Sequence, residues 1–304
     1  MRSLQCLVVV LILSTWMNPA RAQEQPRLAL NVQFGHTANV TSVARSRDGK
    51  HVLTGSADQS VILWDAATGR PLRTYRLEQS ILRVAFSGDD KRFVATTDGL
   101  YLHLFETDTG KLLHKLREPG ISGYDGSQRV HAVFTPDGKH LATAGPSVAV
   151  LWEVATGKLV RKCDHGDSVA ACVAVSSDGK HILVGGMGKA VLLEIETGKI
   201  SRTFDVGSNV VGVALSHDGN WAATASQGNN AIILFNVASG KQLQRFNGIQ
   251  SVAVTRDGQR VLAATFDRTA TLWDSFNGKK LQTFQGHTQA VLDVALSPDG
   301  KHAY

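Results

Sequence analysis

A histidine, two hydroxyls and a carboxylate lie close together early in the chain: His36, Thr54, Ser56 and Asp58, with Trp64 just beyond. Base, nucleophile and orienting acid are the parts of a hydrolase triad. The nucleophile of such a triad sits on an exposed, strained turn beside an oxyanion pocket. Here the hydroxyls belong to His51-Val-Leu-Thr-Gly-Ser56, an alternating run of the kind that packs as a strand. The reading that follows is a buried polar network that satisfies its own groups and fixes local geometry. His51, His140, His181 and His302 each follow an Asp-Gly-Lys turn at the start of a strand-like run. Equal positions in separate copies of a unit hold them apart, so they predict strand-edge packing and no shared metal site. A c-type haem needs Cys-x-x-Cys-His, and no such run follows residue 22. No catalytic, cofactor-binding or metal-binding residue is assigned, and the chain reads as a non-enzyme.

The elements that position these residues are copies. Asp48, Asp89, Asp137, Asp178, Asp218, Asp257 and Asp299 mark Asp-Gly-type turns at intervals of 41, 48, 41, 40, 39 and 42 residues. Gly69, Gly110, Gly157, Gly198, Gly240 and Gly278 run in phase with them. Each copy holds four short β-rich runs broken by Gly and Asp turns, as in Val40–Arg45, His51–Ser56, Val61–Trp64 and Leu72–Tyr75. Four strands per copy at this period match a propeller blade better than a helical array. The fold expected is all-β, a β-propeller of four-stranded antiparallel blades.

Composition and the ends set further bounds. The 304 residues are 43% hydrophobic and 19% charged, enough for a sizeable core. Residues 1–22 combine Arg2, the apolar run Leu7–Leu13 and Ala20-Arg21-Ala22, the three parts of a secretory signal peptide cleaved after Ala22. The apolar run is too short to span a bilayer. A secreted or periplasmic protein of residues 23–304, without a membrane span after cleavage, is expected. Its 30 basic and 26 acidic residues leave it mildly positive, with lysines scattered over turns, so no nucleic-acid stripe is visible. Cys163 closes an outer strand and Cys172 lies in the next inner one, positions that favour two buried thiols over a bridge.

Gly35-His36, the run to Asp48, Thr54-Gly-Ser56-Ala-Asp58 and Trp64-Asp65 together resemble the WD-repeat family. Phe105-Glu106, Trp152-Glu153, Leu193-Glu194, Phe235-Asn236 and Trp273-Asp274 end the later third strands, and Gly286-His287 restarts the pattern. The resemblance covers residues 28–304 and implies a ring of blades around a channel. The family's structural tetrad maps completely onto His36, Thr54 (or Ser56), Asp58 and Trp64. Blade six keeps Asp267 and Trp273 with Arg245 in the histidine place; blade four has His165-Gly166 reversed and Leu193 for Trp. Blades are expected at about 36–76, 77–117, 118–163, 164–204, 205–246 and 247–284, with a partial seventh at 285–304. The family closes its ring by pairing the N-terminal strand into the last blade, and Leu28–Phe34 suits that strand. The seventh blade, shared between the two ends, is then incomplete, which predicts a chain truncated at its C-terminus.

Loops carry specificity in such a scaffold. Arg117–Gln128 is the long connection, and Ile121 and Tyr124 within it are candidate anchors. Ser80, Arg129, Ser168 and Asn209, at the starts of inner strands, complete a candidate partner-binding rim. The first functional expectation is an exported interaction scaffold holding a protein or peptide partner on its loop-bearing face. A propeller enzyme, lactonase-like or otherwise hydrolytic, with a site at the channel mouth is the second. A surface-polymer binding module is the third.

Overall fold

A computed structural model describes residues 35–119, 130–145, 148–166, 170, 172–248, 251–265, 267–291, 293–296, 300 and 303. Among these there is no helix, and the strands form six four-stranded antiparallel sheets. Blade one is β1 Val40–Arg45, β2 His51–Ser56, β3 Ser60–Asp65 and β4 Pro71–Arg76; blade two is β5 Ile81–Phe86, β6 Arg92–Thr97, β7 Tyr101–Glu106 and β8 Leu112–Arg117. Blade three is β9 His131–Phe134, β10 His140–Ala144, β11 Ala149–Glu153 and β12 Leu159–Cys163; blade four is β13 Cys172–Val175, β14 His181–Gly185, β15 Lys189–Glu194 and β16 Ile200–Asp205. Blade five is β17 Val210–Leu215, β18 Trp221–Ser226, β19 Ala231–Asn236 and β20 Gln242–Asn247; blade six is β21 Val252–Val254, β22 Arg260–Ala264, β23 Ala270–Asp274 and β24 Lys280–Phe284.

Each blade is a meander in which consecutive strands pair, so every contact within it is local. Successive inner strands, β1, β5, β9, β13, β17 and β21, pack against one another in chain order, which arranges the blades around a common channel as a propeller. The residues of 285–304 that are described add the isolated bridge Leu296–Ala303, with Val291 and Val294 buried against Leu262, Ala264 and Ala270 of blade six. The Leu28–Phe34 strand lies outside the described residues. A seventh blade is therefore not seen, and six are.

The Asp-turn series has a direct physical cause. In blade one Ser46 Oγ donates to Asp48 Oδ1 at 2.7 Å, Lys50 N–H donates to the same oxygen at 2.9 Å, and His51 N–H donates back to Ser46 Oγ at 2.9 Å. The same closed loop of bonds recurs with Ser87, Thr135, Ser176, Ser216 and Thr255. Hydroxyl and carboxylate tie the first hairpin of each blade through bonds local in sequence. The turn needs a left-handed residue, supplied by Gly49 at φ 75°. Blade two has Asp90 there instead, at φ 58°, and its carboxylate accepts Arg47 N–H and Asp48 N–H at 2.7 and 2.9 Å. The strained residue thus ties blade two to blade one.

The hairpin histidines His51, His140 and His181 open second strands and are half-buried, as their turns predict; His302 lies outside the described residues. All six third-to-fourth strand pairings slip by one residue at the same place, between Leu63 and Trp64 in blade one and at its equivalents elsewhere. A bulge of this kind re-aims a side chain, here the large residue that closes each blade. Cys163 and Cys172 are free, buried thiols, and burial pushes the Cys172 thiol up to about 12.

Candidate functional site

In blade one the chemistry-bearing residues meet in a single strut. The loop before β1 delivers His36, β2 delivers Thr54, the β2–β3 hairpin delivers Asp58 and β3 delivers Trp64. Trp64 Nε1–H donates to Thr54 Oγ1 at 2.7 Å, and His36 Nε2 lies 2.7 Å from the same hydroxyl. His36 Nδ1 sits 3.1 Å from Asp58 Oδ2 and 2.9 Å from Ser60 Oγ. An ionised carboxylate only accepts, so Nδ1–H donates to Asp58. Burial opposes ionisation of Asp58, yet bonds from Ser60 Oγ and Thr37 N–H, with His36 beside it, hold its carboxyl below the usual range. Thr54 is buried and its oxygen is engaged from two sides. Such a hydroxyl is a structural strut and not a poised nucleophile. Ser56 points elsewhere, donating to Ala38 O at 3.2 Å.

The other blades vary this strut in a pattern set by the strand register. The position equivalent to Thr54 lies two residues beyond the partner of the Trp64 position. Blade three has both parts, Trp152 Nε1–H donating to Thr143 Oγ1 at 3.1 Å, and Thr143 Oγ1 donating to Glu118 Oε2 at 2.9 Å. Glu118 therefore occupies the histidine's role there. Blades two and four have neither part: Ala95 with Phe105, and Val184 with Leu193, each pair within one apolar cluster. Blades five and six have one part each, and both are orphaned. Among the described residues Thr224 Oγ1, on the strand paired with that of Phe235, and Trp273 Nε1, on the strand paired with that of Ala263, have no partner.

Arg245 does not take the histidine place of blade six. It lies in β20 of blade five with Nη2 on Asn229 O at 3.4 Å. The shortened linker brings the backbone of Gly248 against Ala263 instead, so close that a Cβ on Gly248 would sit 3.0 Å from the Ala263 Cβ. An orphaned buried donor or acceptor costs about 1–3 kcal/mol. Ala263→Ser, which offers Trp273 an acceptor, is expected to raise stability by about 1 kcal/mol. Thr224→Val, which deletes the orphan hydroxyl at constant shape, is expected to do the same. Urea midpoints of the two variants against the parent check both.

A second set of residues shares one position on the inner strands. Ser42, Arg83, His131, Cys172 and Gly212 pair with Gly55, Thr96, Ala144, Gly185 and Ala225 respectively, and Ser251 and Asp293 continue the series. This belt ties blade one to two, three to four and four to five. Ser42 Oγ accepts Val84 N–H at 3.2 Å, and His131 Nδ1 accepts Val173 N–H at 2.9 Å. Accepting at Nδ1 requires the neutral ring, and burial, with Arg83 nearby, pushes His131 down to about 3. Across the belt Arg83 Nη1 meets Asp293 Oδ2 at 2.6 Å, while Ser251 Oγ donates to Asp293 Oδ1 at 2.8 Å. Asp293 thus joins the segment after blade six to blades six and two. Both side chains are largely buried, 27% and 22% exposed, so the pair exceeds an ordinary surface bridge. A double-mutant cycle with Arg83→Met and Asp293→Asn is expected to give a coupling of about 1–2 kcal/mol; independent effects would refute the tie.

The family model for the WD domain, G-beta repeat, matches residues 29–65, 240–274 and 278–304. The repeat register, the six blades and this match agree. The chain carries WD repeats. It is similar to eukaryotic translation initiation factor 3 subunit I of Saccharomyces cerevisiae, 27% identical over 114 residues, 36% of this chain and 31% of the relative. It is also similar to the ribosome biogenesis protein BOP1 homolog of Drosophila ananassae, 30% identical over 132 residues, 43% of this chain and 17% of the relative. Translation initiation factor 3 subunit I of Rattus norvegicus is 38% identical over 69 residues, 23% of this chain and 21% of the relative. The matched part of the chain spans less than a third of the length of each of these relatives.

Of the rim expected for this WD-repeat protein, Ile121, Tyr124, Arg129 and Ser168 lie outside the described residues. Ser80 and Asn209 occupy equal places: their carbonyls accept Asp98 N–H at 3.1 Å and Gln227 N–H at 3.0 Å, as Asn39 O accepts Ala57 N–H at 2.9 Å. Both therefore lie on the face of the second-to-third strand hairpins, with Asn209 exposed and Ser80 half-buried. Sequence reasoning missed Arg83, Asp293 and Glu118. The first two had a signal, since Ile81-Leu-Arg-Val-Ala-Phe86 and Val291-Leu-Asp-Val-Ala-Leu296 place opposite charges at one position of matching apolar runs.

Proposed function

We propose that this WD-repeat protein is an exported, non-catalytic scaffold that holds a protein or peptide on the face bearing Ser80 and Asn209, with Tyr124 among the residues that contact it. The observation carrying the reading is the commitment of the blade-one chemistry to structure: both ring nitrogens of His36, the Thr54 hydroxyl and the Asp58 carboxylate all bond within the blade. What remains variable is loop sequence on a rigid ring. Export rests on the signal-peptide pattern of residues 1–22, and a seventh blade shared between 28–34 and 285–304 rests on the equivalence of Asp293 to the other belt positions. The test is affinity capture from the extracytoplasmic fraction with the parent chain and with Tyr124→Ala. Loss of a captured protein in the variant is the expected result. Capture indifferent to Tyr124, or turnover of a panel of ester and lactone substrates, would overturn it.

A further inference from the structure

The outer strands β4, β8, β12, β16, β20 and β24 hold nine Lys and Arg residues against one acidic residue, Asp205. They carry +8 in a chain whose whole net charge is +6, so all the other residues together sum to −2. Among the described residues seven of the nine exposed large apolar side chains lie on the same strands, at least one per blade. Each is the edge of its sheet, with a row of backbone donors and acceptors facing outward. Edge lysines alone would be explained as protection against aggregation. Exposed leucines on the same edges, such as Leu72, Leu243 and Leu281, run against that purpose.

From this segregation we infer that the wall is a docking surface for an acidic, extended polypeptide that adds a strand to a blade edge, with β8 of blade two the best-built seat. There the cations are held and not waving. Lys115 Nζ stands 4.8 Å from the Tyr101 ring centroid and 2.9 Å from Glu78 Oε2, and Arg117 Cζ stands 5.9 Å from the same ring. Cation–π contact braces both side chains on one face of the sheet, which lowers the entropy lost when an anion binds. Lys115 and Arg117 are two residues apart on a strand, about 7 Å, the spacing of carboxylates at alternate positions of an extended chain. The edge of β8 supplies main-chain bonds to that chain, and exposed Leu112 meets an apolar side chain between its acids. A polyanion without a peptide backbone would use the charges and leave the edge unused. This surface is separate from the loop-bearing face and does not depend on the scaffold reading.

The probe is a fluorescein-labelled decapeptide with Glu at alternate positions and Val or Thr between, titrated by anisotropy against the full chain. Binding is expected to weaken about tenfold or more with Lys115→Glu plus Arg117→Glu. A similar loss is expected when the peptide's alternate backbone nitrogens are methylated. Lys280→Glu, on blade six, should leave affinity within about twofold. Circular dichroism melts matching the parent confirm that each variant is folded. Equal binding by the methylated peptide, equal displacement by a heparin fragment or by phosphatidylglycerol vesicles, or indifference to the blade-two reversal would each overturn the inference.

Discussion

Thr54→Val is expected to destabilise the protein by about 3 kcal/mol, against about 1 kcal/mol or less for Thr54→Ser. Valine keeps the volume and the β-branch, so packing within β2 is unchanged. What it removes is the one oxygen that receives Trp64 Nε1–H and faces His36 Nε2, each at 2.7 Å. Two polar atoms of one buried strut lose their partner together. Serine restores the oxygen and loses only a methyl group. Urea unfolding followed by tryptophan fluorescence reads the difference, with Trp64 itself at the site. Equal midpoints for the valine and serine variants would show that the strut contributes nothing and that blade one is held by apolar packing alone.

How much of this was legible depended on how local each signal was. The hairpins were legible because Ser46, Asp48 and His51, and their counterparts, bond within six residues of sequence. The blade-one strut was legible because nothing is inserted between His36 and Trp64. Glu118 was not. Its bond to Thr143 spans 25 residues, where His36 to Thr54 spans 18, so the long connection hides the equivalence. Arg245 misled for the opposite reason: the linker is short, and a fixed offset lands inside β20. The basic wall was hidden by the period itself. Its charges are scattered in sequence, two or fewer per strand, and gather only when the strands become the rim of a ring.

Glu118 should make stability fall as pH rises, the reverse of an ordinary carboxylate. It is buried at the root of the long connection, with Oε2 on Thr143 and Oε1 without a partner among the described residues. Gly145 backs it so closely that a Cβ there would meet Glu118 Cγ at 2.8 Å. Burial raises its carboxyl from 4.5 to about 7, against the pull of the Thr143 hydroxyl and Lys162. Between those two values the folded state holds a proton that the unfolded chain has released. Stability therefore drops by about 3 kcal/mol from pH 4.5 to pH 7 and is level above it. His103 and His131 work the other way: burial pushes them down to about 4 and about 3. Their contribution is present above about pH 6.5 and is lost as pH falls toward those values. Glu118→Gln separates the effects, because the histidines are common to both proteins and the amide still accepts from Thr143. The stability of the parent minus that of the variant should fall by about 3 kcal/mol between pH 5 and pH 8, most steeply near pH 6. A difference that stays flat across that window, measured by urea unfolding at each pH, would mean that the Glu118 carboxyl ionises in the folded protein as freely as in the unfolded one.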